Sequence, residues 1–175
     1  MNDWLSEATR FPEKIWPVED WHPRLCGAID IRIQSDGVWL HEGRPIGRTA
    51  LVRLFSRLLR HDEDGYVLVT PVEKLTIHVD DLPFRIVDFD IGDAGEVVFV
   101  TGQEDRVILG EAHPLIIDVM GEEWRPRLKV RGNLWGRLTR ACAQRLFETA
   151  DLSADGRAVQ VQFGTQAFEI PVISS

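Results

Sequence analysis

Two short stretches of the chain, EGRPIGR at residues 42–48 and RGNLWGR at residues 131–137, share the pattern G-x-x-x-G-R. After each stretch, apolar residues recur with the period of an amphipathic helix. These residues are Leu51, Leu54, Phe55, Leu58 and Leu59 in the first case, and Leu138, Ala141, Cys142 and Leu146 in the second. The shared pattern predicts that one structural unit occurs twice, each time with a glycine turn that leads into a helix.

Further landmarks repeat in the same order and at nearly constant spacing. His22-Pro23 recurs as His113-Pro114, Ile29-Asp30-Ile31 as Ile117-Asp118-Val119, and Asp64-Gly65 as Asp155-Gly156. Alternating apolar and polar residues predict two strands on either side of each helix. We therefore expect residues 22–79 and 113–172 to form two copies of a β-β-α-β-β unit.

Three more stretches with strand character lie between the copies, at residues 84–91, 96–101 and 106–109. They have no counterpart in the first copy, and they directly precede the second. We assign them to an enlarged C-terminal domain. The sequence thus predicts an α+β protein with an N-terminal domain over residues 1–80 and a C-terminal domain over residues 81–175.

The beginning of the chain is rich in tryptophan. Trp4, Trp16 and Trp21 are three of the six tryptophans, and Pro12 and Pro17 interrupt any long helix there. We expect this segment to form a lid of short helical turns on the N-terminal domain.

The charge distribution consists of two basic segments in an acidic chain. The net charge is −8, yet residues 43–60 contain five arginines and no acid, and residues 124–147 contain seven basic residues and no acid. The acidic total argues against nucleic acid or an anionic membrane as a partner. The basic segments favour an anionic small molecule as ligand. Because the N-terminus lacks a signal-peptide pattern and two cysteines suggest buried thiols in a reducing compartment, we expect a cytoplasmic protein.

The two glycine-arginine stretches are candidate anion sites. A glycine turn before a helix exposes backbone N–H groups at the positive end of the helix dipole, and arginine adds a bidentate donor for phosphate or carboxylate. The candidate ligand-binding residues are Gly43, Arg44, Gly47, Arg48, Lys74, Arg131, Gly136 and Arg137. The alternative is ordinary turn chemistry with solvated charges, because the pattern lacks the lysine and hydroxyl of a P-loop.

Catalytic and metal motifs are weakly supported. The sequence has no nucleophile elbow and no dinucleotide fingerprint, and His22 and Cys26 lack the second pair that a zinc site needs. We therefore expect no catalytic residue, no metal and no cofactor. Trp124 beside Arg125 and Trp135 beside Arg137 could stack a nucleobase, although a partly buried core position is the alternative for each tryptophan.

Four segments carry a family resemblance: HPRLCGAIDIRI at 22–33, DGVWLHEGRPIGRTALVRLFSRLLR at 36–60, DGYVLVTPVEKLTIHVDDLPF at 64–84 and HPL at 113–115. From Trp21 onward the chain resembles the uncharacterised bacterial family called domain of unknown function 1285. The resemblance implies a duplicated core and a C-terminal half similar to a pleckstrin-homology fold. It also implies a nucleotide-type ligand site at the domain interface and a role in signal transduction.

Three functions compete at this point. The first is a non-catalytic sensor that binds a nucleotide-like anion at the interface of the two domains through Arg48, Arg137 and neighbouring cations, in contact with a signalling protein. The second is a protein-interaction adaptor that uses the pleckstrin-homology-like half. An enzyme is the third.

Overall fold

The computed structural model describes residues 16–63, 65–148 and 150–174. The chain is an α+β protein of two compact units, divided between Asp81 and Leu82. Trp4 and Pro12, which belong to the predicted N-terminal lid, lie outside the described residues.

The described part of the N-terminal unit contains one six-stranded sheet and one α-helix. Its elements are a 3-10 helix (Val18–Asp20), β1 (Leu25–Ile33), β2 (Trp39–His41), β3 (Arg44–Pro45), α1 (Thr49–Leu58), β4 (Leu59–Asp62), β5 (Gly65–Val69) and β6 (Lys74–Val79). The strand order is β3-β2-β1-β6-β5-β4. The central strands β1 and β6 are parallel, and the other neighbours are antiparallel.

The C-terminal unit contains a nine-stranded sheet and one α-helix within the described residues. Its elements are β7 (Phe84–Ile91), β8 (Val97–Thr101), β9 (Arg106–Ile108), β10 (Leu115–Met120), β11 (Glu123–Arg131), β12 (Leu134–Leu138), α2 (Arg140–Phe147), β13 (Ala150–Leu152), β14 (Ala158–Phe163) and β15 (Gln166–Ser174). The order is β13-β14-β15-β10-β11-β12-β7-β8-β9. The three additional strands β7, β8 and β9 thus extend the sheet beyond β12, in the C-terminal unit to which the sequence assigns them.

The two units contain the same topology. The order β3-β2-β1-β6-β5-β4 of the first sheet recurs as β12-β11-β10-β15-β14-β13 in the second, and β10 and β15 repeat the parallel central pair. Each repeat is larger than predicted, because three strands precede its helix in the sequence and three strands follow it. The prediction missed β3 and β12 before the helices and β4 and β13 after them.

The end of α1 differs from the helical pattern of the sequence. Leu58 is the last helical residue, and Leu59 is already extended with φ −73° and ψ 137°. Both leucines are buried, since the helix leads directly into the buried strand β4. The spacing of Arg53, Arg57 and Arg60 in the sequence would place all three on one helical face. Because Arg60 lies in β4, its side chain points into the unit instead.

Arg60 joins β4 to the 3-10 helix at the N-terminal end of the described chain. Its Nη1 donates to the carbonyl oxygens of Val18 and Trp21 at 2.5 and 2.8 Å. Its Nε and Nη2 donate to the two carboxylate oxygens of Asp62 at 2.6 and 2.8 Å. Asp62 also accepts from Lys74 Nζ at 3.2 Å. The hydrogen bond from Arg60, followed by that from Lys74, lowers the pKa of Asp62 below its ordinary value.

Replacement of Arg60 by Ala should lower the free energy of unfolding by about 2–4 kcal/mol, because two carbonyls and a mostly buried carboxylate lose their donor. Urea unfolding measures this change. Arg24→Ala is the matched control, since Arg24 is exposed in the same unit, and it should change stability by less than about 0.5 kcal/mol.

The same pair predicts a pH dependence. Because the folded pKa of Asp62 is lowered, its stabilisation is complete above its ordinary pKa of about 4 and is lost as the pH falls further. Arg60→Ala should therefore flatten the loss of stability below about pH 4. Equal acid sensitivity of the variant and the wild type would contradict this account.

Candidate functional site

An open cavity of about 530 Å³ lies in the N-terminal unit, between the β2–β3 hairpin and the start of α1. Its apolar wall consists of Ile29, Ile31, Leu51 and Phe55 together with Pro45 and Ile46, and its polar rim consists of His41, Glu42, Arg44 and Arg48. The volume lies within the range of about 300–1,000 Å³ that is usual for small-molecule sites. One apolar wall and one polar rim suit a ligand with an apolar part and a charged part.

The β2–β3 hairpin positions Arg44 at the rim. Glu42 and Gly43, the two residues of the turn, both have positive φ, at 49° and 73°. This conformation is the type I′ turn that joins antiparallel strands through two residues, and it explains the glycine. His41 and Arg44 are consequently paired across the turn. Pro45 follows in the edge strand β3, where a missing N–H is tolerated.

The start of α1 provides the second part of the rim. Arg48 is the N-cap residue, and no side chain caps the helix. The amides of Thr49 and Ala50 are therefore left without a side-chain acceptor, at the positive end of the helix dipole. Arg44 and Arg48 are exposed, and neither side chain has a hydrogen bond or ion pair with another described residue. The structure thus brings together three of the predicted residues, Arg44, Gly47 and Arg48.

Trp39 holds the helical wall of the cavity in place. Its ring stacks on Phe55 of α1 at a centroid distance of 6.3 Å, and Trp39 is almost fully buried in β2. In the C-terminal unit, Trp124 of β11 contacts Phe147 of α2 at 6.1 Å, but edge to face. Sequence reasoning missed Phe55, His41 and Glu42 as cavity residues. Their positions close to the G-x-x-x-G-R stretch in the sequence could have identified them as candidates.

Lys74 does not reach the lining of this cavity. Its ammonium group is mostly buried and pairs with Asp62 at 3.2 Å, as part of the Arg60 network. Its position at the first residue of β6 explains this contact, because β6 lies beside β5 and near β4. In this structure, Lys74 contributes to the packing of the N-terminal unit.

The prediction of a second glycine turn at Gly136 is wrong. Gly136 is buried in the middle of β12, and the hairpin turn before that strand contains Gly132, with φ 47°. A Cβ atom on Gly136 would lie 2.6 Å from Cδ1 of Ile86 and 3.1 Å from Cβ of Phe84. This glycine is therefore required by the close approach of β7 to β12.

Arg137 and Arg131 belong to the packing of the C-terminal unit. The side chain of Arg137 is 10% exposed, and its Nη1 donates to Asp118 at 3.0 Å and to the carbonyl oxygen of Arg125 at 2.7 Å. Asp118 also pairs with Arg127 at 2.9 Å. The guanidinium of Arg131 lies 5.9 Å from the ring centroid of Phe84. The helix that follows is capped, since Thr139 Oγ1 accepts from the amide of Cys142.

The cysteines differ from each other in burial. Cys26 is exposed in β1, which corrects the prediction that both thiols are buried, and Cys142 is a buried residue of α2. Burial raises the pKa of the Cys142 thiol to about 12, so the thiol stays protonated at neutral pH. Within residues 16–63, 65–148 and 150–174, no three metal-ligating side chains cluster. None of the helices in these ranges is both long and apolar enough to cross a membrane.

The second glycines of the two repeated stretches, Gly47 and Gly136, should respond differently to substitution. Gly136→Ala should lower the free energy of unfolding by about 1–3 kcal/mol, because its methyl group overpacks against Ile86. Gly47→Ala is the matched control: no atom lies within 4 Å of its Cβ position, and its φ is not positive. Denaturant unfolding of the two variants should therefore separate them clearly. Equal stabilities would contradict the close packing of β7 and β12.

Comparison with known proteins identifies both units. Residues 16–82 match the N-terminal domain, and residues 83–170 the C-terminal domain, of the domain of unknown function DUF1285. No curated protein matches the chain.

Two solved structures are similar to the chain. A DUF1285 family protein from Silicibacter pomeroyi DSS-3 is 33% identical with a TM-score of 0.80, and the match covers 99% of this chain and 97% of that chain. A DUF1285 family protein from Shewanella baltica OS155 is 26% identical with a TM-score of 0.56, over 69% of this chain and 91% of that chain. Together with the two domain matches, these similarities show that the chain belongs to the DUF1285 family.

Proposed function

We propose that the N-terminal unit binds an anionic, nucleotide-like small molecule in the cavity between the β2–β3 hairpin and α1. The protein then acts as a non-catalytic ligand sensor in bacterial signal transduction, in the cytoplasm. The observation that carries this proposal is the pair Arg44 and Arg48, two exposed arginines beside an uncapped helix start.

The charge pairing elsewhere in the chain supports an anionic ligand. The protein has 28 acidic and 20 basic residues, so an arginine has many carboxylates with which to pair. Several arginines do pair, for example Arg32 with Asp80 at 2.8 Å and Arg60 with Asp62 at 2.6 Å. Arg44 and Arg48 instead lie together at one cavity rim without such a partner among the described residues. An external phosphate or carboxylate would supply the missing acceptor.

The cavity geometry supports a ligand with a phosphate and a ring. A phosphate at the rim could accept hydrogen bonds from the first-turn amides of α1 as well as from the two guanidinium groups. The partly exposed Phe55 and Leu51 of α1 line the same cavity. A planar ring packed on these side chains would bury apolar surface. This combination favours a nucleotide-like molecule over inorganic phosphate.

The arginine variants test the site directly. Each charge-assisted hydrogen bond is worth about 1.5–3 kcal/mol, so Arg44→Ala and Arg48→Ala should each weaken binding roughly tenfold or more. Lysine should restore part of the affinity, since an ammonium group cannot reproduce a bidentate contact. Calorimetric titration with mononucleotides, cyclic nucleotides and inorganic phosphate is the measurement.

Arg157→Ala is the control for these titrations, because Arg157 is exposed in the C-terminal unit. Its affinity should equal that of the wild type. The nucleotides should also remain chemically intact after incubation with the protein, as the non-catalytic role requires. Unchanged affinity in both Arg44→Ala and Arg48→Ala would remove this cavity from consideration.

Glu42 provides a test with the opposite sign. Its carboxylate lies at the same rim as the two arginines, where it repels an anionic ligand. Glu42→Gln should therefore strengthen nucleotide binding several-fold at low salt, and the gain should shrink as the salt concentration rises. Calorimetric titration at two ionic strengths measures this effect. A loss of affinity in this variant would show that the ligand is not an anion at this rim.

A protein-interaction adaptor is the second candidate function, and a specific observation favours it. Trp124 at the start of β11 is 39% exposed, next to a cavity rich in arginine. Large exposed aromatic side chains beside arginine are typical of protein interfaces. The similarity of the C-terminal unit to a pleckstrin-homology fold stays a prediction.

A further inference from the structure

A groove of about 730 Å³ runs along α2 in the C-terminal unit. Arg140, Ala143, Gln144 and Phe147 form its helical side, and their spacing of i, i+3, i+4 and i+7 places them on one face of the helix. The opposite side comes from the first residues of β11 and the last residues of β12. The groove is independent of the N-terminal cavity, since all of its lining residues belong to the other unit.

One end of the groove is aromatic. The ring of Trp124 meets that of Phe147 edge to face, with an interplanar angle of 85°. Trp124 is nevertheless 39% exposed, so a further apolar group can pack on it. Because the contact with Phe147 restricts the indole ring, less side-chain entropy is lost when a partner binds. Tryptophan is also enriched among the residues that carry most of the binding energy at protein interfaces.

The other end of the groove is basic. Arg140, the first residue of α2, and Arg85 of β7 line it. Arg140 is exposed and has no hydrogen bond or ion pair with another described residue. Arg125 and Arg137 also line the groove, together with Glu122 and Glu123, but the charge of Arg137 is already paired with Asp118. The lining thus has four arginines and two glutamates in a chain whose net charge is −8.

We propose that this groove binds a short extended segment of a partner protein, in which an aromatic or large aliphatic residue accompanies an acidic residue. The inference rests on the adaptor function and specifies its recognition element. The apolar residue packs on Trp124, and the carboxylate pairs with Arg140. Charge complementarity selects the acidic residue, and the exposed indole selects the apolar one.

The length of α2 sets an approximate spacing for the motif, because Trp124 contacts Phe147 at the end of the helix opposite to Arg140. Arg140 and Phe147 stand at the two ends of the helix, a separation of about 10 Å along its axis. An extended peptide covers this distance in about three residues. The acidic and the apolar residue of the partner segment should therefore be about three positions apart.

Panning of a displayed library of random 12-residue peptides against the full chain tests the proposal. The enriched peptides should contain Asp or Glu about three positions from Trp, Phe, Tyr or Leu. The best peptide is then labelled, and fluorescence anisotropy measures its affinity for each variant. Trp124→Ala and Arg140→Glu should each weaken binding tenfold or more, and the affinity should fall as the salt concentration rises.

Two controls keep the result interpretable. Arg106→Glu makes the same charge change at an exposed position of β9 and should leave peptide affinity unchanged. Arg140→Glu should fold normally, because an acid in the first turn suits the helix dipole, so the test does not depend on the stability of Trp124→Ala. Nucleotide titration of Arg140→Glu should match the wild type, which separates this groove from the N-terminal cavity.

Three outcomes would overturn the proposal. The first is an absence of acidic and apolar pairs among the enriched peptides. The second is equal peptide affinity in the wild type, Trp124→Ala and Arg140→Glu. The third is binding to phosphatidylserine-containing vesicles that is lost in the same variants while no peptide is enriched, since that result would assign the groove to a membrane surface.

Discussion

The parallel pairing of the first and last strands of each repeat is the constraint on which the rest of the structure depends. Parallel neighbours cannot be joined by a tight turn, so the chain between β1 and β6 must cross over. In the N-terminal unit that crossover contains β2, β3, α1, β4 and β5. It brings the hairpin Glu42-Gly43 and the start of α1 to one cavity. The pair β10 and β15 imposes the same path on the second repeat.

The two repeats share this path but differ where the helix begins. Arg48 leaves the start of α1 without a side-chain cap, whereas Thr139 caps α2 with its hydroxyl group. Arg137 is mostly buried against Asp118, while Arg44 and Arg48 are exposed at a cavity rim. Thr139 and Asp118 thus already occupy the groups that correspond to the rim of the N-terminal cavity. The proposed nucleotide site therefore belongs to the first repeat alone, and α2 is available for another role.

The duplication, the α+β class and the three additional strands can be predicted from the sequence. Those features depend on periodicity and on repeated landmarks, which are visible in short stretches of the chain. The four missed strands are short or atypical: β3 has only two residues, and β4 follows directly on the apolar helical pattern of α1.

Gly136 shows most clearly what the sequence cannot predict. A glycine that is required by close packing against Ile86 of the neighbouring strand cannot be distinguished in the sequence from a glycine that is required by a turn. The partners of Arg60 and Lys74 are equally non-local. Arg44, Gly47 and Arg48 could be predicted to lie at one site because they are close together in the sequence.

An amide chemical-shift titration of the ¹⁵N-labelled full chain tests most directly whether the two helix starts have diverged. A mononucleotide is added, and the first-turn amides of α1 and α2 are compared. The account predicts dose-dependent shifts at Thr49 and Ala50 of α1, with no matching shifts at Arg140 and Ala141 of α2. Shifts at the start of α2, or none at the start of α1, would contradict it.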